Sequence, residues 1–178
     1  MKKFLATLLT TAMIISAVGC GNKNNVTTET QKADTVTTVV YTAPKEATLG
    51  ATLLDVFTTQ MEADKDTSAQ DMASALITNE AILFAGDTAP MEEGFLTGFS
   101  EDITGFEEAI VFMPIIGSIP FVGYIFDLAD DADVEAFVTN LQEKANMRWN
   151  VCTEAVQMVV ASCGDKVFFV MCPNSLED

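Results

Sequence analysis

The sequence predicts an α+β domain in which N-terminal helices are followed by a β-β-α-β-β unit. Two observations lead to this class. In three segments, apolar residues recur every three or four positions, which is the period of a helix buried along one face. Four other segments are short, apolar and rich in β-branched or aromatic residues, and turn residues join them in pairs. We therefore expect an antiparallel sheet with one amphipathic helix packed on it.

Two helices are predicted at the start of this domain. The first spans residues 48–63, where apolar residues recur at Leu49, Leu53, Phe57 and Met61. Ser68 is a suitable N-cap for a second helix that runs to about Asn79, and Asp71 completes an acidic variant of the capping box. Residues 81–84 are an apolar run without a clear period. Residues 86–90 have the composition of a loop, and we expect a short helical turn within residues 91–99.

Residues 110–126 carry no charge, and both a membrane span and a β-hairpin would fit such a run. Its 17 residues lie at the lower length limit for a span. The run is also interrupted by residues that disfavour a helix interior, at Pro114, Gly117, Pro120 and Gly123. A hairpin with strands at residues 109–113 and 121–128 is therefore the better prediction.

The third helix has the clearest period, with apolar residues at Val134, Phe137, Val138, Leu141 and Ala145. Asp130 or Asp131 is the expected cap at its start. Asp131, Asp133 and Glu135 have the alternating spacing of a calcium loop, but Ala136 stands where an EF-hand needs glycine. We interpret these carboxylates as helix-capping residues, with no dedicated metal site.

A second hairpin is predicted at the end of the chain, from residues 156–163 and 166–172. Gly164 and Asp165 form a two-residue turn with glycine at its first position. In this register Cys163 faces Lys166 and Cys172 faces Gln157. The two cysteines of the hairpin would then lie about 20 Å apart at 3.3 Å per residue, too far for a disulfide bond.

Cys152 precedes this hairpin and can fold back toward its end. We therefore predict a disulfide between Cys152 and Cys172, in an exported setting that permits oxidation. The alternative is that these two cysteines and Cys163 are all buried thiols.

The first 19 residues have the pattern of an export signal. Lys2 and Lys3 give a positive start, and residues 4–18 are an uncharged run that is short for a membrane span. Ala17-Val18-Gly19-Cys20 resembles the lipobox of bacterial lipoproteins. This resemblance implies a cut before Cys20, acyl chains on its thiol, and an anchor in the cell membrane on the extracytoplasmic face. The alternative is an ordinary secretory signal with Cys20 as a free thiol.

Residues 20–47 are polar, and their charged residues cancel, so they are predicted to be a flexible linker to the globular domain at residues 48–178. Residues 35–41, Thr-Val-Thr-Thr-Val-Val-Tyr, are strongly strand-prone. They can dock as an edge strand, bind a partner by strand addition, or remain an extended part of the linker, which is the interpretation we favour.

Composition excludes several classes of function. The 178 residues contain no histidine and carry a net charge of −17. A chain of this charge repels nucleic acid, and without histidine neither a Ser-His-Asp triad nor a histidine-based metal site can form. The acidic doublets Glu92-Glu93 and Glu107-Glu108 do not suit general acid–base catalysis, because neighbouring side chains point in different directions. Residues 66–143 hold sixteen acids and no Lys or Arg, so weak binding of divalent cations is expected, but no cofactor.

Several of these features together are similar to a family of exported Gram-positive bacterial lipoproteins catalogued as domain of unknown function 4358. The similarity is carried by the lipobox, the hairpin at residues 109–128, the Asp-rich start of the third helix, and residues 150–173. The family has no established activity or catalytic residues, so the resemblance implies location and fold.

The sequence therefore predicts a membrane-tethered, non-catalytic binding module outside the cell, held by the lipid on Cys20 and recognising an extracytoplasmic protein partner. Two alternatives stay open. One is an extracytoplasmic hydrolase that uses carboxylates, and the other is an accessory subunit of a membrane complex.

Overall fold

The computed structural model describes residues 48–176, which contain three helices and five strands. In chain order these are α1 (Leu49–Ala63), α2 (Ala69–Ile77), β1 (Gly86–Met91), β2 (Glu108–Pro114), β3 (Val122–Asp127), α3 (Val134–Lys144), β4 (Gln157–Cys163) and β5 (Lys166–Cys172). The strands form one antiparallel sheet in the order β1-β2-β3-β5-β4. The predicted α+β class is confirmed. The predicted signal peptide, Cys20 and the strand-prone residues 35–41 lie outside the described residues.

Helices cover both faces of the sheet, whereas the sequence predicted one amphipathic helix on it. α1 and α2 pack against one face, and α3 with its neighbouring loops packs against the other. Phe168 and Phe169 show the consequence: Phe168 stacks on Phe57 of α1 with ring centroids 5.4 Å apart, while Phe169 meets Phe99 on the opposite face at 4.8 Å. Both rings are buried. The central strands are therefore apolar at successive positions, as in other sheets buried on both sides.

The helix starts follow the capping rules. Thr48 Oγ1 accepts a hydrogen bond from the Ala51 amide at 3.3 Å, and Ser68 Oγ accepts one from the Asp71 amide at 3.1 Å. The predicted Ser68 cap is thus confirmed, and Thr48 is a further cap that the structure adds. The predicted cap of α3 at Asp130 or Asp131 is wrong, because Asp133 Oδ1 accepts from the Ala136 amide at 3.0 Å. The helix begins one residue later, at Val134.

The loop predicted at residues 86–90 is wrong, since these residues belong to β1. This outer strand pairs with β2 from Gly86 opposite Pro114 to Met91 opposite Ala109. Pro90 has no amide hydrogen to donate, and an outer strand is where a sheet tolerates that loss. The helical turn predicted within residues 91–99 is also wrong. An irregular connection runs there instead, with isolated β-bridges between Gly94 and Ile103 and between Phe99 and Ala145.

Both predicted hairpins are confirmed. β2 and β3 pair around the turn region that holds Pro114 and Pro120. β4 and β5 pair in the predicted register, with Cys163 opposite Lys166 and Cys172 opposite Gln157. Gly164 has φ of +63°, a conformation that glycine adopts without strain. None of the helices within residues 48–176 is long and apolar enough to cross a membrane.

Candidate functional site

Exposed apolar side chains gather in the loops at one end of the sheet. β2 and β5 finish at this end, and β1, β3 and β4 begin there. We call this end the apolar end and define it by five residues that are each more than half exposed: Leu83, Ile115, Ile116, Val151 and Val156. Among the residues that the structure describes, Phe95 is the sixth large apolar residue so exposed, and it lies in the β1–β2 connection.

Backbone groups tie the loops of the apolar end to one another. The Ile115 amide donates to the Ala85 carbonyl at 2.9 Å, which joins the β2–β3 connection to the α2–β1 connection. Asn150 Nδ2 donates to the Gly117 carbonyl at 2.8 Å, which joins the α3–β4 loop to the same connection. These bonds satisfy polar groups and leave the apolar side chains facing solvent: Ile116 is 76% exposed and Val151 is 98% exposed.

A hollow of about 260 Å³ lies between the β2–β3 connection and the α3–β4 loop. Its apolar lining comes from Met113, Ile119, Phe121, Trp149 and Val151. The volume is below the range of about 300–1,000 Å³ that is typical of small-molecule pockets. A hollow of this size suits one large apolar side chain of a partner.

Trp149 contributes to both the core and the apolar end. It is half-buried, packs against the hydrophobic cluster beneath α3, and also lines the hollow. It comes from the loop that follows α3, because that helix ends at Lys144. The indole therefore forms a fixed wall between the core and the apolar end.

The opposite end of the sheet is charged. A cleft of about 430 Å³ lies there, where β3 ends and β5 begins, and charged side chains dominate its lining: Lys65, Asp66, Glu107, Asp127, Asp130, Asp165 and Lys166. We call this end the acidic end. Asp127 and Lys166 are cross-strand partners, and Lys166 Nζ donates to Asp127 Oδ1. Lys166 is 5% exposed, so Asp127 compensates a buried positive charge.

The residues of the acidic doublets lie in different surroundings in the described structure. Glu107 lines the cleft, while its neighbour Glu108 is exposed at the start of β2. Glu93 Oε1 accepts a hydrogen bond from the Gly105 amide at 2.6 Å and so holds the irregular connection after β1. Within residues 48–176 no group of three His, Cys, Asp or Glu side chains is placed to hold a metal ion.

The predicted disulfide between Cys152 and Cys172 is absent, since both are free thiols in the described structure. The side chain of Cys172 points into the α1 layer, where Sγ lies 3.8 Å from Gln157 Oε1. Cys152 is exposed in the α3–β4 loop, which packs on the opposite face of the sheet through Trp149. The two thiols therefore lie in different surroundings, with Cys172 buried beneath α1 and Cys152 exposed to solvent.

Burial raises the pKa of two thiols, Cys172 and Cys163. Burial raises the pKa of Cys172 to about 12, although a hydrogen bond with the Gly50 backbone opposes the shift. Burial also raises the pKa of Cys163, which is half-buried at the end of β4. A thiol with a raised pKa is a poor nucleophile at neutral pH, so neither residue suits covalent catalysis.

Comparison with known proteins gives no match to a family model, a curated protein or a solved structure. The resemblance to the lipoprotein family therefore still rests on the sequence features alone.

The sequence predicted the hairpin at the apolar end but not the exposure of its turn. A signal was present, because Ile115 and Ile116 lie in a turn bounded by Pro114 and Pro120. Turns of soluble domains are usually polar, and two adjacent isoleucines in one indicate a contact surface.

Proposed function

We propose that this chain is a lipid-anchored extracytoplasmic protein that acts as a non-catalytic binding module, and that its apolar end binds an apolar segment of a partner protein. One observation carries the proposal: five exposed apolar side chains from three separate connections lie at one end of the sheet. Several large apolar side chains exposed at one end of a domain are typical of a contact surface.

The hollow supports a protein partner over a lipid surface. Binding energy at protein interfaces is concentrated in a few side chains that fill pockets. The hollow beside Trp149 is large enough for one such side chain, and Ile116 and Val151 lie near its rim. The net negative charge of the chain also disfavours direct contact with an anionic membrane. If the partner is itself a membrane protein, the chain is its accessory subunit.

The charged cleft gives less support to a carboxylate-based hydrolase. That reaction needs one carboxylate to act as an acid and a second to act as a base or nucleophile. Asp127 is already engaged by Lys166, which leaves Asp66, Glu107, Asp130 and Asp165 as the other carboxylates of the cleft.

Site-specific photo-crosslinking in native membranes tests the proposed surface. A photoreactive residue replaces Ile116 in the full chain, and the matched control carries it at the exposed residue Asp130 on the acidic end. We expect one defined partner protein at position 116 and none at position 130. The same adducts at both positions, or adducts at position 116 only with lipid or with a second copy of the chain, would contradict the proposal.

The identified partner then permits a quantitative test. Burial of an isoleucine side chain contributes about 1.5–3 kcal/mol. Because Ile116 is 76% exposed, its burial in the complex contributes roughly 1–2 kcal/mol, or about tenfold in Kd. Ile116→Asp should therefore weaken binding of the purified partner by at least that factor. The control Asp130→Asn should leave Kd unchanged.

The predicted anchor has its own test. Replacement of Cys20 by serine removes the thiol that the lipobox resemblance assigns to lipidation, so the protein should move from the membrane fraction to the soluble fraction. Retention of Cys20→Ser in the membrane fraction would refute the anchor without affecting the proposed partner surface.

A further inference from the structure

β4 is an outer strand with few of the features that protect an exposed sheet edge. Its seven residues, Gln-Met-Val-Val-Ala-Ser-Cys, contain no charge and no proline. The other outer strand, β1, carries Asp87 and Pro90, which are typical of protected edges. Within residues 48–176, β5 is the one strand that pairs with β4. An uncharged strand of this length suits addition of a further strand.

β4 is also more buried than the other outer strand, β1. Val160, Ala161 and Ser162 of β4 are between 1% and 7% exposed, whereas Ala89 and Pro90 of β1 are exposed. Part of this burial comes from α1 and α3, which cover the two faces of β4. Helices on the faces do not cover the outer backbone edge of a strand, which a neighbouring strand does.

We propose that residues 35–41 form a sixth strand that pairs antiparallel with β4. This strand lies on the outer side of β4, away from β5. The segment has seven residues, the same number as β4, and all of them are Thr, Val or Tyr. Alternate residues of a strand face opposite sides, so Val36 and Val40 lie on one face while Val39 and Tyr41 lie on the other. An apolar pair on each face matches a sheet that is covered by helices on both sides.

The point at which the chain enters the domain favours this strand. α1 begins beside the first residue of β4, because the Gly50 amide donates to Gln157 Oε1 at 3.2 Å. Six residues, 42–47, separate the segment from Thr48. The seven steps from residue 41 to residue 48 span up to about 23 Å at 3.3 Å per step, which is ample for a link from the outer side of β4 to the start of α1.

The same reach sets the strand direction. A seven-residue strand is about 20 Å long. In the antiparallel arrangement residue 41 lies at the apolar end, where α1 begins. In a parallel arrangement it would lie at the acidic end, and residues 42–47 would have to return along the whole strand almost fully extended. The proposal rests on the described domain and the sequence, and it is independent of the proposed partner surface.

Hydrogen exchange on the full-length protein in detergent tests the docking. We expect the amides of residues 35–41 to exchange at least about 100-fold more slowly than in an unstructured chain. Val39→Pro removes an amide and disfavours the strand, so it should abolish this protection and speed exchange in β4. The matched control Val26→Pro places the same change elsewhere in the linker and should alter neither. Fast exchange of residues 35–41 in the unchanged protein would overturn the proposal. Protection of β4 that depends on protein concentration would also overturn it, because it would show that a second copy of the chain covers β4.

Native Cys163, at the last position of β4, reports the direction. In an antiparallel pair with full overlap, position 35 lies opposite Cys163, whereas in a parallel pair position 41 does. We expect an oxidative cross-link in Thr35→Cys and none in Tyr41→Cys. The reverse result would overturn the direction, and no cross-link in either would overturn the full overlap.

Discussion

Gly123 in β3 leaves room for an aromatic ring from the neighbouring strand. It lies opposite Phe112 of β2, which is fully buried. A Cβ atom at position 123 would lie 2.1 to 2.6 Å from three atoms of the Phe112 ring. Carbon atoms in van der Waals contact are about 3.5–4.0 Å apart. Gly123→Ala therefore requires the ring to move by more than 1 Å, as a rough difference of these distances.

The surroundings of Phe112 oppose that movement. Its ring lies against Phe121 at 5.9 Å and Phe168 at 6.5 Å between centroids. Overpacking of a filled core costs about 1–3 kcal/mol, and we expect Gly123→Ala to fall in the upper half of that range because aromatic neighbours limit the relaxation. In a chain of this size each kcal/mol lowers Tm by about 2–4 °C.

Urea unfolding followed by circular dichroism measures this loss. Phe112→Leu shortens the obstructing side chain, so the double variant Gly123→Ala/Phe112→Leu should be more stable than the sum of the two single changes predicts, by at least about 1 kcal/mol. Gly117→Ala is the matched control, since nothing lies within 4 Å of a Cβ there, and it should stay within about 0.5 kcal/mol. The reasoning fails if Gly123→Ala resembles Gly117→Ala, or if the double variant shows no coupling.

Three further predictions concern the charged and titratable groups. Asp127→Asn leaves Lys166 buried without its counter-charge and should cost about 2–4 kcal/mol in urea unfolding, while Asp127→Asn/Lys166→Met should recover at least half of that loss. The pKa of Cys172 is raised from 9.0 to about 12, so the unfolded chain loses this proton at a lower pH than the folded protein does. Tm should therefore fall as pH rises from about 9 toward 12, and it should fall less steeply in Cys172→Ala. The raised pKa of Tyr124 acts in the same direction. Residues 48–178 carry 4 basic and 23 acidic residues, so Tm should rise with moderate salt and with calcium, and a Tm independent of both would exclude self-repulsion and diffuse cation binding.

Elements with a strong period or a specific cap were predictable from the sequence. The four-residue repeat from Leu49 to Met61 is the buried stripe of α1, and Ser68 caps α2 as its position before Asp71 suggested. The β4–β5 register followed from one dipeptide, because a two-residue turn fixes which residues face each other. In each case the determinant lies within a few residues of the element it specifies.

Features that depend on contacts distant in sequence were not predictable. β1 has the composition of a turn, and only its pairing with β2 makes Gly86 to Met91 a strand. The Cys152–Cys172 prediction used distance along the chain but had no information on which thiol the domain would bury. The candidate surface was missed for a related reason, since Ile115 and Val151 come to the same end of the sheet only after the strands pair.

The two proposals together determine which end of the domain points toward the membrane. A strand formed by residues 35–41 antiparallel to β4 begins at the acidic end, so the linker from Cys20 would leave there, with residues 21–34 as the remaining tether. The apolar end would then face away from the bilayer, where Ile116 and Val151 are accessible to a protein partner. Without the sixth strand the tether would instead meet the domain at Thr48, beside the apolar end, and would direct that surface toward the membrane. Under both proposals, docking of residues 35–41 would allow a lipid-anchored domain to present its apolar surface outward.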